Sequence, residues 1–182
     1  MAVTVRDVAH DDVVALLPLW EDIQRDHPGL SVDALLGRIE LSLSDIGFKL
    51  FAAWDGDTAL GIVCVGLTDV GVWTEVPGIQ ISGLHVRSSA RHRGVARALL
   101  NAAVGCADKW GCASAVASVP PGDREANRFF ARLGFGQTAT HRMVEVSQLR
   151  KRVSVEPRSL VMARLRNRGP APELSLRHAI GK

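Results

Sequence analysis

A short basic stretch of the chain carries the residue types that bind anions. Gly94 is surrounded by three arginines, Arg91, Arg93 and Arg97. The stretch follows an apolar segment that ends at Val86 and precedes an apolar pattern with helical spacing. The first amides of a helix have no partner inside the helix, and a glycine there lets a phosphate approach the backbone. The stretch therefore predicts a phosphate-binding turn, although its single glycine makes it neither a Walker loop nor a GxGxxG turn.

The elements that must position this turn follow from the hydrophobic periodicity. Ser31 and Asp123 are expected to cap two of the helices, and Gly111 to end a third. The expected order is strand 3–8, helices 11–26 and 31–43, strands 48–54, 59–67 and 79–86, helix 95–110, strand 113–119, helix 123–133 and strand 141–146. A strand–helix–strand unit at the centre predicts an α/β (α+β in some schemes) fold with a mixed sheet and a right-handed crossover.

Composition places the chain among folded proteins. It has 182 residues, of which 47% are hydrophobic and 23% charged, so one domain with a real core is expected and wholesale disorder is excluded. The longest apolar run, 59–67, is about half of a membrane span, and the first residues do not form a secretory signal. Three cysteines without regular spacing predict neither disulfides nor a zinc site. We therefore expect a cytoplasmic protein with no metal and no membrane span.

Charge separates the chain into two parts. Residues 148–182 hold nine basic and two acidic residues, a formal charge of +7, whereas residues 1–147 carry −4. We interpret 1–147 as the catalytic domain and 148–182 as a basic C-terminal extension. The extension has no aromatic residue for base stacking, so a nucleic-acid partner is not expected. Its apolar residues suit packing on the domain or on a second subunit, as in a homodimer: Leu149, Val153, Leu160, Val161 and Leu165. An anchor for RNA or an anionic surface is the alternative.

Two motifs together resemble the GNAT family of N-acetyltransferases. The hexad Arg91-x-x-Gly94-x-Ala96 matches the family's Gln/Arg-x-x-Gly-x-Gly/Ala pattern, between a strand and a helix as in that family. Some thirty residues later, 123–135 resembles the second signature, Asn-x-x-Ala-x-x-(Phe/Leu)-Tyr-x-x-x-Gly-Phe. The resemblance covers about residues 3–147.

This resemblance implies a bent mixed sheet, flanked by helices, whose two central strands splay apart. It also implies acetyl-CoA, or another short acyl-CoA, as co-substrate. Backbone groups of the strand ending at Val86 would contact the pantetheine, and the amides at 92–96 would hold the pyrophosphate. The expected cofactor-binding residues are Leu84, His85, Val86, Arg91, His92, Arg93, Gly94, Val95, Ala96, Arg97, Asn127 and Phe130.

Two positions depart from the family pattern. Asp123 stands where the second signature opens with Asn, although Asn127 follows one turn later. Phe130 stands where the family has a Tyr that can protonate the leaving thiolate, and the chain contains no tyrosine. That acid must be water, another side chain or nothing.

The catalytic base is open at this stage. Family members with a clear base often carry an acid or His six residues before Val86, and here that residue is Gln80. Ser82 would face the same way in a regular strand, whereas His85 would alternate to the other face. Glu75, on the preceding loop, could relay a proton through water. Glu75 and His85 are thus the two candidate catalytic residues.

The resemblance implies an N-acetyltransferase that moves an acetyl group from acetyl-CoA to a primary amine by direct transfer in a ternary complex. The acceptor could be a small molecule, a protein lysine or a protein N-terminus. The alternative is an acyl-CoA-binding regulatory module with little turnover, which Phe130 and Gln80 favour because neither can exchange a proton.

Overall fold

The structure is a computed structural model that describes residues 3–70, 76–120, 122–138 and 142–153. The element order is β1 (Thr4–Asp7), a 3-10 turn (His10–Asp12), α1 (Val13–Asp26), α2 (Val32–Ser44), β2 (Phe48–Asp55), β3 (Thr58–Asp69), β4 (Pro77–Val86), a second 3-10 turn (Ser88–Ala90), α3 (Val95–Trp110), β5 (Ser114–Ala117), α4 (Arg124–Arg132) and α5 (Val146–Val153). Among these residues, no helix has the length and apolar character needed to cross a bilayer.

In the part of the chain that the structure describes, five strands form one mixed sheet in the order β1-β2-β3-β4-β5. The first four pair antiparallel with their neighbours, and β5 pairs parallel with β4. Helix α3 connects β4 to β5, because parallel neighbours need a crossover. The mixed α/β sheet predicted from the sequence is confirmed.

The sheet has a separate apolar cluster on each face. Ile62 and Cys64 of β3 belong to one cluster, together with residues of α1 and α2. Val63 and Val65 belong to the other, together with residues of α3 and Phe130. Successive side chains of a strand point to opposite faces, so β3, which is apolar on both, lies between two layers of helix.

Helices α2, α3 and α4 begin at the predicted positions, whereas α1 begins at Val13, two residues after its predicted start, because a 3-10 turn occupies His10–Asp12. The helices bury fewer of their apolar residues than the sequence predicts. Ser31 Oγ accepts the Ala34 amide at 3.3 Å and caps α2, as expected. The apolar spacing of the sequence predicts buried positions for Val14 in α1, Leu43 in α2 and Val104 in α3, but each is more than half exposed. Leu19 of α1 is 1% exposed and belongs to the core, although the apolar stripe predicted for this helix does not include it. That stripe consists of Val13, Val14, Leu16, Leu17, Trp20 and Ile23. The direction of a helical stripe is set by the packing partner as well as by spacing.

The chain divides into two units, residues 1–136 and 137–182. In the second, α5 is the described element. The expected strand at 141–146 is wrong for its described part: residues 142–145 form no strand and Val146 begins α5. An apolar alternation becomes a strand only where another strand pairs with it, and no described strand pairs with this segment. His141 and the extension beyond 153, including Leu160, Val161 and Leu165, lie outside the described residues.

Candidate active site

The two central strands separate halfway along β4. Pairing between β4 and β5 covers Gly78–Ile81, and Ser118 adds one more bond, from its amide to the Ile81 carbonyl at 2.9 Å. The remainder of β4, residues 82–86, has no described strand on that side. Its backbone is therefore open to an extended ligand. This is the splay that the family resemblance implies.

Gln80 lies at the start of the split. Its amide Nε2 donates to Ser118 Oγ at 2.8 Å, which ties the two strands together just before they part. A carboxamide does not take up a proton at neutral pH, so the residue at the family's base position links the two strands here and cannot act as a base.

A β-bulge in β4 decides which way the site residues point. Ser82 pairs with Cys64 and His85 pairs with Ile62, so two residues of β4 oppose the single Val63 of β3. Gly83, at φ +61°, is the extra residue, and glycine adopts this left-handed conformation without strain.

The bulge corrects the expected direction of His85. Cys64 and Ile62 lie two apart on β3 and share the face covered by α1 and α2. Their partners Ser82 and His85 therefore share that face too, whereas a regular strand would have placed them on opposite faces. Leu84 and Val86 pack toward the α3 cluster on the other face.

The turn before α3 has the geometry of an anion site. Gly94 is the N-cap of α3 at φ +81°, and no side chain among the described residues caps this helix end. His92 also has a left-handed φ, +61°. Residues 91–94 and Arg97 are exposed, while Val95 is 1% exposed and Ala96 half-buried, so these two offer mainly their backbone. The free amides and the nearby arginines suit an anion such as a pyrophosphate.

Arg91 connects three elements around this turn. Its Nε donates to the carbonyl of Val86 at 3.3 Å, and its guanidinium pairs with Glu125 at 3.3 Å. The end of β4, the turn before α3 and the first turn of α4 are thereby held together. The pair is exposed, so its contribution to stability is small.

Helix α4 carries the remaining predicted cofactor residues. Asp123 Oδ1 accepts the Ala126 amide at 2.9 Å, so the residue that departs from the family pattern caps the helix as expected. Asn127 is exposed, and its Nδ2 donates to the Asp123 carbonyl at 2.6 Å. Phe130 is 6% exposed, with Phe129 and Phe135 packed edge-on against it. Contact of Asn127 or Phe130 with a cofactor stays a prediction.

A pocket opens beside His85, on the face that the bulge selects. Its volume is about 130 Å³, and its lining residues are Asp22, Arg25, Asp26, His85, Ser88 and Arg91. Burial lowers the pKa of the half-buried His85 below its ordinary value of 6.5. Asp26 and Asp22 oppose that shift, while Arg91 and His27 add to it. The imidazole is therefore neutral at pH 7 and able to accept a proton.

Asp22 fixes α1 to the end of β4. It accepts from Arg25 at 3.0 Å and from Arg87 at 3.2 Å. Burial, the largest influence, raises the pKa of Asp22, but the bonds from Arg87 and Arg25 outweigh it and lower that pKa. The carboxylate is thus ionised, and it holds the pocket wall in place.

The acidic wall on α1 was not identified from the sequence. Asp22, Arg25 and Asp26 recur at the i, i+3, i+4 spacing that places them on one helix face, and this was the available signal. Charged residues at this spacing usually mark only the solvent-exposed face of a helix. Its proximity to His85 depends on the bulge. Glu75, the other candidate base, lies outside the described residues.

Comparisons with known proteins agree with this geometry. Residues 16–135 match the family model described as the acetyltransferase (GNAT) family. No curated protein matches the chain. Among solved structures, aminoglycoside N-acetyltransferase AAC(6')-Iy in complex with CoA is similar, with a TM-score of 0.69 and 22% identity over 79% of this chain and 94% of that one.

Two further structural neighbours bear different names. A transcriptional regulator from Bacillus halodurans C-125 has a TM-score of 0.65 and 21% identity, over 79% of this chain and 99% of that chain. A ribosomal-protein-alanine N-acetyltransferase from Brucella melitensis biovar Abortus 2308 has a TM-score of 0.61 and 16% identity, over 79% and 99%. At these identities the likeness shows the fold.

Proposed function

Because the chain belongs to the GNAT acetyltransferase family, we propose that it transfers the acetyl group of acetyl-CoA, or of a related short acyl-CoA, directly to a primary amine in a ternary complex. The amine is carried by a small molecule, a protein lysine or a protein N-terminus. Structural neighbours include an aminoglycoside N-acetyltransferase and a ribosomal-protein-alanine N-acetyltransferase. The three cysteines form no disulfide, which suits action in the cytoplasm.

One observation carries the proposal: the N-terminus of α3 has no side-chain cap, is opened by a left-handed glycine, and directly follows the point where β4 and β5 separate. The amides of Val95 and Ala96 and the side chains of Arg91, Arg93 and Arg97 supply donors and positive charge for a pyrophosphate. This donor set fits the co-substrate, because a diphosphate needs several N–H groups at close range.

The open half of β4 supports the other end of the same ligand. Peptide groups of residues 82–86 on the β5 side can bond to the amides of a pantetheine arm, as a further strand would. When bound, acetyl-CoA supplies an activated acyl carbon and a thiolate leaving group. A backbone N–H on the open strand can stabilise the oxyanion that develops at that carbon.

Two glycine variants distinguish a loss of pyrophosphate binding from an effect of backbone strain. Gly94 and Gly111 stand at opposite ends of α3, at φ +81° and +68°, and an added Cβ would have no neighbour within 4 Å at either. Both Gly94→Val and Gly111→Val therefore introduce comparable strain, about 1–2 kcal/mol. We expect Gly94→Val to weaken CoA binding by at least 100-fold in calorimetry, and Gly111→Val to leave it within a few-fold. Equal CoA affinity in the two variants would remove the pyrophosphate assignment.

The regulatory alternative keeps the acyl-CoA site and lacks turnover. Phe130 and Gln80 favour it, because the first is buried in an aromatic cluster and the second bonds to Ser118. Release of free CoA thiol over a panel of amines discriminates the two. Tight acetyl-CoA binding with no amine-dependent thiol release would support the regulatory module.

A further inference from the structure

The proposed ligand places its acyl end at the start of the open half of β4. Its pyrophosphate binds at the turn before α3, beyond the end of the strand, and its pantetheine arm runs back along residues 82–86. The acyl group then lies where β4 and β5 part, beside Ser82 and next to the bond from the Ser118 amide to the Ile81 carbonyl. An acceptor amine has to approach this point from one face of the sheet.

The two faces of the sheet differ at this point. Ile79 and Ile81 are buried in the cluster that includes α3. Gln80 and Ser82 alternate with them, so they face the side of α1 and α2, where both are only half-buried. Ser118 Oγ, which accepts from Gln80 at 2.8 Å, adjoins them. Gln80, Ser82 and Ser118 thus form a polar floor, and the face that carries it is the open side for an acceptor.

Arg38 of α2 lies beside this polar floor. Its Nη1 is 3.7 Å from the sulfur of Cys64, the β3 residue that pairs with Ser82. A Cβ added to Gly83 would lie 3.7 Å from the same sulfur. The side chain of Arg38, which is otherwise exposed, therefore brings its guanidinium next to the bulge and to the acyl end of the ligand.

The positive charge of Arg38 has no counter-ion in the part of the chain that the structure describes. Four other arginines each pair with a carboxylate: Arg6, Arg25, Arg87 and Arg91. Burial raises the pKa of the Cys64 thiol and outweighs the opposing influence of Arg38, so the sulfur stays neutral. A thiol is also a weak acceptor, which leaves most of the five guanidinium donors for a ligand.

We propose that the acceptor is a small molecule that carries a carboxylate as well as its primary amine, and that Arg38 binds the carboxylate while the amine lies on the polar floor. This inference rests on the proposed acetyl transfer and narrows its acceptor to amino-acid-like compounds. A guanidinium meets a carboxylate through two parallel hydrogen bonds, so it orients the acceptor as well as attracting it. The same charge repels an acceptor that carries a second ammonium group.

A series of amines tests this charge preference. Unbranched ω-amino acids of three to six carbons are compared with the alkylamine and the diamine of each length, and the release of CoA thiol gives kcat/KM. For at least one length, we expect the amino acid to exceed the alkylamine about tenfold or more, and the diamine to be the poorest acceptor. If no amino acid exceeds its alkylamine at any length, the carboxylate site is wrong.

Charge variants assign the preference to Arg38. Arg38→Glu should reverse the order, so that the diamine exceeds the amino acid, and Arg38→Gln should bring the three amines within a few-fold of one another. Lys109→Glu is the matched control, because it reverses an exposed charge on α3, on the other side of the sheet, and should keep the wild-type order. An unchanged order in Arg38→Glu would overturn the role of Arg38.

A binding measurement needs no turnover. Pentanoate has a carboxylate and no amine, so it occupies the proposed site and cannot be acetylated. We expect it to shift the NMR signal of the Arg38 Nε–H group in the free protein, measured against sodium chloride at equal ionic strength. The same concentration of pentanol should cause no shift. Absence of a response to pentanoate would contradict carboxylate binding by Arg38.

The outcomes separate the inference from the proposed function. If pentanoate shifts the Arg38 signal but no amine releases CoA thiol, the carboxylate site stands and the proposed transferase activity fails. If amines release thiol without regard to their charge, acetyl transfer stands and the inference fails. A peptide that begins Ala-Glu, compared with one that begins Ala-Gln, tests the other source of a carboxylate. An Arg38-dependent preference for the Ala-Glu peptide that exceeds the preference for every amino acid would overturn the small-molecule acceptor.

Discussion

Helices α3 and α4 differ in how their N-terminal amides are capped. Each begins with amides that lack an intrahelical partner. In α4, Asp123 accepts the Ala126 amide and Glu125 adds negative charge in the first turn. In α3, Gly94 brings no acceptor, no acid stands in the first turn, and arginines flank it. The α4 end is capped by its own side chain, whereas no described side chain caps the α3 end, where we propose that a ligand binds. Comparison with the capped α4 thus makes the uncapped N-terminus of α3 a feature that sets the two helices apart.

Converting α3 to the α4 arrangement should have the largest effect. Gly94→Asp places a carboxylate at the N-terminus of α3, where it would compete for the amides and repel a diphosphate. We expect CoA affinity to fall by more than 100-fold in calorimetry, while thermal unfolding remains cooperative. Gly94→Asn, which is similar in size and uncharged, should lose less affinity. Equal losses in the two variants would show that charge is not the reason.

Removing the cap of α4 should affect stability more than binding. Asp123→Ala leaves the Ala126 amide without its acceptor, which costs about 1 kcal/mol in the free energy of unfolding. Denaturant unfolding measures this, with Asp123→Asn as the control that keeps a capping oxygen. CoA affinity is expected to stay within a few-fold in both. A large loss of CoA affinity in Asp123→Ala with unchanged stability would mean that the carboxylate has a role at the ligand.

The salt bridge between the two helix starts should give the smallest effect. Glu125→Gln removes the partner of Arg91 at an exposed position, so stability should change by less than about 1 kcal/mol. The freed guanidinium should raise CoA affinity two- to threefold, and high salt should erase that gain. Titrations at low and high ionic strength provide the measurement. A decrease in affinity would show that the bridge orients Arg91 for the ligand.

Much of the fold could be predicted from the sequence because its signals are local. The caps at Ser31 and Asp123 and the bounds of α3 follow from residue type and spacing over a few positions. The exposed Val14 and Leu43 were wrongly expected inside, since the burial of a helix face is decided by elements distant in the chain. The strand expected at 141–146 failed for the same reason: the pattern is local and the pairing is not.

The same contrast between local signals and distant contacts applies to the candidate site. The turn before α3 could be predicted because Gly94, its arginines and the helix that follows are continuous in sequence; that it binds an anion stays a prediction. The face predicted for His85 was wrong, because alternation of side chains between the two faces predicts their direction only in a strand without a bulge. Gly83 is the residue that breaks it, yet a lone glycine in a strand does not reveal whether a bulge is present. The position of Asp22 and Asp26 beside His85 could not be predicted without knowing that face.

The bulge also makes β4 sensitive to its own length. The residues on either side of Gly83 point to their present faces of the sheet only because the bulge adds one residue to β4. A deletion at this point would turn the imidazole of His85 into the α3 layer and bring Leu84 and Val86 out toward α1. Substitutions along the strand alter one side chain at a time, but a change of one residue in its length would exchange the chemistry of two faces at once. Variation among natural versions of this protein should therefore be rich in replacements along β4 and poor in single-residue insertions and deletions.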